Sequence, residues 1–558
     1  MVSGYCTIEQ SNLEGVEEWI ECFADKWRWC STKEEIKLAT LCEYYEKHAS
    51  WYKETYADYH NTIGQPCKDI LFTIILESIK ETFGWTDREL IERIPREGVF
   101  FEALGGKKGK PLIGRRTLYE GRKRLLAYEE KTKCNVTQDS FQHFTTFQKS
   151  IVGMTSTCRR MDSTLINSNI RKLTRNDVIY LVAKNVVCIS AELLIPLPAE
   201  WGVFLEKGCK LTDIDSRQSL GYQPPLPPKK GATARDHRTA ELIGVCLAVR
   251  EQVSHYDNIR STKEYALLER VIWEQTEEDE QGNLRMLSKV RSGSLQSPYD
   301  PDAQYRKKNK QECWGYSGQI VEDRDGEKGV SLISFFDMKG SLHPDTAFAK
   351  EYIETWVPHD GMRLCADGGY YSHEISELAQ SKGISLCFTN MTGRRENPDK
   401  LRASTFVRDK RTKEITRCVA NKEPENSQYK PGRKPGSGTS VAYFKGEDCK
   451  KCPFADQCIG KLNKTGGRTI RLTDRTYSAA EQRDQLEETK YREAGNSRAA
   501  IEGVCSALKN AYGARRLKVR GERRARLTMF AKCVAYNTSQ VSEYIVKFIR
   551  IIRREAIS

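Results

Sequence analysis

The sequence predicts an α/β protein with a mixed sheet, preceded by an all-α N-terminal region. Three observations carry this. From Trp314 to Phe388 the pattern runs hairpin, helix, strand, helix, strand, an order that builds a mixed sheet. From Asp69 to Tyr128 apolar residues recur at helical spacing with capping signals between them. At 558 residues the chain also exceeds one ordinary domain, so each region has room for a core.

The elements follow in order. Residues 1–60, rich in Trp, Tyr and Glu, read as a helical segment with no assigned role. Within 61–150, Ile70, Leu71, Ile74, Ile75 and Ile79 mark one helix. Thr86, with Glu89 at capping-box spacing, opens a second that bears Leu90, Ile91 and Ile94. The loop GGKKGKPLIGRR leads into a third, Thr117–Tyr128, carrying Arg122, Lys123 and Arg124. Three short helices with a basic third predict a helix-turn-helix-like DNA-binding region, the plainer alternative being a bundle with a solvated basic face.

Residues 151–530 are expected to hold the α/β domain, with Met161 to Ile166 in its first strand. A mostly helical insertion spans about 170–297, with a break at Pro224–Pro228 and an acidic stretch at Glu277–Glu280. Strands at Trp314–Val321 and Gly329–Phe336 flank a turn at Asp323–Gly326. A helix at Pro344–Thr355, a strand at Met362–Ala366, a helix at Ser372–Ser381 and a strand at Ile384–Phe388 follow. About 392–475 reads as a loop-like, Cys-rich insertion. Ser478–Tyr512 reads as helical, with Ile501, Val504, Cys505 and Leu508 on one apolar stripe, and 531–558 as a helical tail.

Hydrophobic residues at 39% and charged residues at 30% exclude global disorder and an integral membrane protein. The most apolar stretch, Val178–Pro198, is interrupted by Lys184 and Glu192, so no spanning helix and no membrane partner are expected. MVSGYCTIEQ has no basic stretch followed by an apolar one, so no secretory signal is expected. The 19 cysteines are then expected to be reduced thiols or metal ligands, and the location cytoplasmic and nucleoid-associated.

Three acids stand out by position. Asp162 sits on the first strand of the α/β unit, Asp367 ends a later strand before two glycines, and Glu502 lies on the late helix. In open α/β sheets such sites form beyond the carboxyl ends of strands, and three converging carboxylates suit two hard divalent cations, Mg2+ or Mn2+; the alternative is that each acid is a cap or a surface charge. Arg498, Glu502 and Lys509, spaced +4 and +7, share one helix face, either as phosphate-gripping cations around a metal ligand or as a solvated Arg–Glu pair. Between Arg498 and Arg526, nine cations, including Arg515, Arg516, Arg523 and Arg524, oppose Glu502 and Glu522. The resulting +7, half of the chain's +14, is the expected footprint of a phosphate backbone, the plainer alternative being a solvated basic face.

The chain resembles the DDE-type transposases of bacterial insertion sequences. The matching pieces, in family order, are Met161-Asp162-Ser163-Thr164; Tyr299-Asp300-Pro301-Asp302 with Arg306 before Gly315-Tyr316; His343-Pro344-Asp345; Ala366-Asp367-Gly368-Gly369-Tyr370; and Arg498-x3-Glu502-x6-Lys509. The resemblance implies an RNase H-like catalytic domain with Asp162, Asp367 and Glu502 as a metal-binding triad. Where related transposases often place a Tyr three residues before the Arg, this chain has Gly495, and its nearest tyrosine is Tyr491.

Cys449-x2-Cys452-x5-Cys458 is a tight thiolate cluster, and Cys418 is a candidate fourth ligand for one structural Zn2+. The resemblance supports this, since several such transposases carry similar cysteines between the second Asp and the Glu; the alternative is reduced cysteines without metal. The expected activity is metal-dependent phosphodiester hydrolysis at element ends, followed by strand transfer into target DNA. Double-stranded DNA is the expected partner, with assembly as a homo-oligomer on it. The alternatives are a nuclease of the same fold without strand transfer and a catalytically inactive DNA-binding or regulatory protein.

Overall fold

A computed structural model describes residues 27–555 apart from 28, 60–67, 156–157, 207–232, 283, 288, 292, 309–310, 356–361, 392–396, 435, 490, 492 and 494–497. The Pro-rich break at Pro224–Pro228, Gly495 and residues 1–26 lie outside the described residues.

The N-terminal region is helical: α1 (Lys33–Thr55), α2 (Ile70–Phe83), α3 (Asp87–Arg93), α4 (Arg115–Thr132) and α5 (Val136–Ile151). Local chemistry sets their ends. Thr32 with Glu35, and Thr86 with Glu89, form capping boxes on α1 and α3, and the Asp69 carboxylate accepts the Phe72 N–H at 2.6 Å to start α2. Gly84, at φ 65°, supplies the left-handed residue that stops α2.

Strand β1 (Cys158–Asn167) follows, then the insertion helices α6 (Arg175–Glu192), α7 (Ala234–Val253) and α8 (Lys263–Gln275). Next come β2 (Gln304–Lys308), β3 (Gln311–Asp325), β4 (Val330–Gly340), α9 (Asp345–Thr355), β5 (Arg363–Ala366), α10 (His373–Ser381) and β6 (Ser385–Phe388). These strands make one mixed sheet in the order β4-β3-β1-β5-β6, with β2 also on β3. The β1, β2, β3 and β4 pairings are antiparallel; β1 with β5, and β5 with β6, are parallel. The protein is thus mixed α/β, as expected. The hairpin turn differs: β3 runs through Asp325, and the turn falls at 326–329. There the Asp325 carboxylate accepts the Lys328 N–H at 3.0 Å.

Residues 392–475 are not loop-like throughout. Among the described residues β7 (Asn426–Lys430), β8 (Thr439–Phe444), Lys461–Leu462 and β9 (Arg468–Thr473) form a second, four-stranded antiparallel sheet. Its strands are short and rich in Ser, Thr and Tyr, so Gly- and Lys-bearing loops dominate the composition; only alternating pairs such as Ile470 and Leu472 mark the buried face. Helices α11 (Asp474–Glu487), α12 (Ile501–Asn510) and the long α13 (Glu522–Glu555) complete the chain.

The main sheet is covered on both faces. Met161, Val321, Leu364, Ala366 and Phe388 pack against Ala349 and Ile353 of α9 and Ile375 and Ala379 of α10. The opposite face, Ile320, Ile333 and Phe336, joins one core with α2, α5, α12 and α13, where Phe336 meets Phe530 edge-on at 5.4 Å. The N-terminal helices, the sheet and α13 therefore share a core, while α6, α7 and α8 build a separate one around Val186, Cys246 and Leu268. Among the described residues no helix is long and apolar enough to cross a membrane.

Asn537, fully buried on α13, clamps the backbone of β4: its amide oxygen accepts the Ile333 N–H and its amide nitrogen donates to the Ile333 carbonyl, each at 2.8 Å. Asn537→Ala leaves that N–H without its acceptor. It is expected to lower stability by about 1–3 kcal/mol, read as a fall in the thermal midpoint with secondary structure retained.

Candidate active site

β1 and β5 run parallel with Arg160 level with Cys365. Two residues further on, Asp162 in β1 comes level with Asp367, the residue immediately after β5. Strand register alone thus sets the two aspartates side by side at the carboxyl edge of β5. The Asp162 carboxylate accepts its neighbour's Ser163 N–H at 2.8 Å. Asp367 starts a short helical turn and accepts the Gly369 N–H at 2.7 Å. Gly368 is required there by closeness: a Cβ on it would stand 2.4 Å from the Asn390 carbonyl oxygen. Beneath them Tyr370 is buried, its hydroxyl donating to Gln319 at 3.2 Å.

Helix α12 lies against β1 through Ile501, Val504 and Leu508, its apolar stripe, and so carries Glu502 in its first turn toward the same edge. Arg498, just ahead of α12, joins the three acids. Its guanidinium is 3.0 Å from Asp162, 3.8 Å from Asp367 and 3.7 Å from Glu502. The acids grade outward, with side chains 15%, 34% and 69% exposed in that order. Burial pushes the Asp162 carboxyl above its usual range, while the Arg498 charge pulls it the other way. On the same strand, Arg160 makes a buried ion pair with Glu322 at 2.7 Å.

The other resemblance-bearing residues brace this frame. Asp300 is fully buried, accepting the Tyr316 hydroxyl at 2.6 Å and the Ser168 hydroxyl. Asp302 accepts the Glu522 N–H at 3.2 Å at the start of α13, and Arg306 donates to the Ser341 carbonyl at 3.1 Å. His343 lies 3.3 Å from Glu351, edge-on to Phe348.

The cations divide by what they touch. Arg515, Arg516, Arg523 and Arg524 are exposed. Arg516 donates to the Ile170 carbonyl and Arg523 pairs with Glu130, so these side chains are positioned rather than loose. Arg526 turns inward to Asp337 and Glu522. Arg516 and Arg524 line a large groove whose other wall includes Trp85, Tyr119 and Arg122 from the N-terminal helices. Lys509 is half-buried on α12. On α4, Lys123 is exposed and Arg124 half-buried beside Arg116 and Lys68 in another groove. Arg122 points inward, with Asp87 holding it at 2.6 and 2.7 Å and the buried Glu77 closing the other side.

Cys418, Cys449, Cys452 and Cys458 line one small cavity with Phe406, Phe444 and Arg468. Arg468 donates to the Gly460 and Ala455 carbonyls at 2.9 Å each and so holds the Cys-bearing loop closed. The Gly460 N–H donates to the Cys458 sulfur at 3.4 Å. Among the described residues, no three His, Cys, Asp or Glu side chains stand close enough to hold a metal ion without rearrangement.

One cluster has no counterpart among the sequence motifs. Cys158, Cys365 and Cys387 lie on three adjacent strands, with the Cys158 and Cys365 sulfurs 3.9 Å apart. The thiol of Cys365 and nearby arginines draw the Cys158 thiol below its usual range. Only the strand register, which no local pattern reveals, brings the three together.

A strand-borne aspartate, a second just past the end of the neighbouring strand and a helix-borne glutamate around one cation form an all-oxygen, hard donor set beside a basic surface, chemistry suited to phosphate esters. Neither a search of curated proteins nor one of solved structures returns a match. A family search matches residues 417–542, a stretch that holds Arg498, Glu502 and Lys509 and lies beyond both aspartates. The family is described as Transposase DDE domain, and the chain is similar to DDE-type transposases.

Proposed function

We propose that the protein is a DNA transposase that hydrolyses phosphodiester bonds at element ends and transfers the freed 3′-hydroxyl into target DNA. The observation that carries this reading is the convergence of Asp162, Asp367 and Glu502 on the Arg498 guanidinium. The strand order supports an RNase H-like description of the sheet, with three antiparallel strands followed by two parallel ones, Asp162 in the middle strand and Asp367 just past the end of its parallel neighbour.

The carboxylates fit divalent cations: the donors are hard oxygens, and Asp162 is a largely buried acid that needs positive charge beside it. Asp162, Asp367 and Glu502 would hold two Mg2+ or Mn2+ ions. Bound there, such ions lower the pKa of an attacking water or 3′-hydroxyl and stabilise the leaving oxygen. Lys509 and Arg498 grip phosphate at the reacting end, and the exposed Arg515, Arg516, Arg523 and Arg524 carry the flanking backbone. Exposed Lys123 makes α4 the candidate for base reading. Cys418, Cys449, Cys452 and Cys458, which line one cavity, would hold a structural Zn2+ on drawing together, since an all-thiolate shell leaves no open position for chemistry.

Asp162→Asn, Asp367→Asn and Glu502→Gln are each expected to reduce cleavage of a metal-supplied DNA substrate to background while the gel-shift affinity for that DNA is retained. Full cleavage by any one variant removes that residue from the triad.

Neutralising Arg515 with Arg516, or Arg523 with Arg524, should weaken binding to specific and random duplexes alike. Each phosphate left without its arginine should make the slope of log affinity against log salt shallower by about 0.9. An unchanged slope in both pairs moves the DNA path elsewhere.

Protein purified without chelators should hold about one zinc per chain, and Cys449→Ser with Cys452→Ser should lose it. Elemental analysis that finds no zinc in the parent protein rejects the site.

A further inference from the structure

We infer that Arg498 is an exchangeable internal counter-ion: its guanidinium holds the place between the three carboxylates that divalent cations need, and metal loading expels it toward the DNA backbone. This rests on the reading of the three acids as metal ligands.

The geometry is that of a cation shared among acids. One guanidinium lies within 4 Å of Asp162, Asp367 and Glu502, yet it makes a hydrogen bond only to Asp162, at 3.0 Å, among the described residues. Its buried Nε has no hydrogen-bond partner among the described residues. The hold is therefore mostly charge, which another cation of higher charge can replace, rather than a fork of directional bonds. The surroundings permit the exchange. Ala499 and Ala500, which link Arg498 to α12, are small and exposed, no side chain caps the start of α12, and Glu502 is mostly in solvent.

Like charges explain why a placeholder is needed. Three carboxylates gathered without a cation repel one another, and the Asp162 side chain is largely out of water. Among the described residues the three acids do not form a ready metal-holding group, and the guanidinium lies within 4 Å of each of them. A displaced arginine on this edge meets phosphate, which its planar fork binds in two places. Metal binding and backbone gripping thus become one exchange of cations. A permanent structural arginine makes the opposite prediction, because its removal would scatter the acids and weaken metal binding.

The test is Mn2+ titration of the DNA-free, full-length protein, with free aquo-Mn2+ followed by electron paramagnetic resonance. Arg498→Met should bind Mn2+ about tenfold more tightly than the parent, equivalent to ~1.4 kcal/mol. Arg498→Lys, which keeps the charge, should stay near the parent. In chelator the methionine variant should unfold at a lower temperature than the parent, and Mn2+ should raise its midpoint by more. Arg498→Gln serves where the methionine variant fails to fold. Equal or weaker Mn2+ affinity without the arginine, with binding abolished by Asp162→Asn, overturns the counter-ion and leaves the triad reading intact. No Mn2+ binding by any of the proteins overturns both.

Discussion

Strand β1 is gripped on both sides, and the site depends on that grip. All ten of its residues pair with β3, and its first three also pair in parallel with β5. The antiparallel partner sets which face each β1 side chain takes; the parallel partner sets its level against Asp367. A slip of one residue in either ladder would turn Asp162 to the other face, into the apolar layer of Met161 and Val321. The long β3 ladder therefore acts as the gauge that holds two carboxylates in register. Residues beyond it, Leu517 and Arg515, bond to Asn167 and tie the basic segment to the end of the same strand.

Several buried charges in this protein are matched by an opposite one. Arg160 meets Glu322 between β1 and β3, Arg122 meets Glu77 and Asp87 among the N-terminal helices, and Lys532 of α13 meets Glu81 of α2. Each pair is costly to desolvate and more costly to break, since the surviving partner would remain buried and unpaired. The pairs therefore favour one arrangement of helices over neighbouring ones. Arg498 belongs to the same class by burial but differs in having three acids around one guanidinium, an imbalance of charge that invites further cations.

What could be read from the sequence was what is local. Apolar spacing marked α2 and the stripe of α12, and the cap at Thr86 stands where its side chain predicts. What could not be read was pairing at a distance. Arg122 looked like an outward basic residue because its partners, Glu77 and Asp87, are 45 and 35 positions away. Cys418 approaches Cys449 only because the second sheet folds between them, and that sheet was hidden by short polar strands. The three acids were conspicuous by their neighbours in sequence, whereas the guanidinium among them emerged from packing of α12 on β1.

The insertion bears on how the chain assembles. Ile166 on β1 and Cys313 on β3 touch across 147 positions, so the central pairing closes a long loop. Most of that loop is the helical unit with its own core. Arg175 at its start bonds to Gln275 at 2.6 Å and to the Leu287 carbonyl at 3.1 Å near its end. Once this unit has folded, its ends are already together, and the span left to close shrinks to a few tens of residues. By the logarithmic dependence of closure entropy on length, that saves roughly 1 kcal/mol in the step that docks β3 on β1. During synthesis β1 emerges with both edges bare, an exposed template for strand addition. A self-contained helical unit made next shortens the search that covers them.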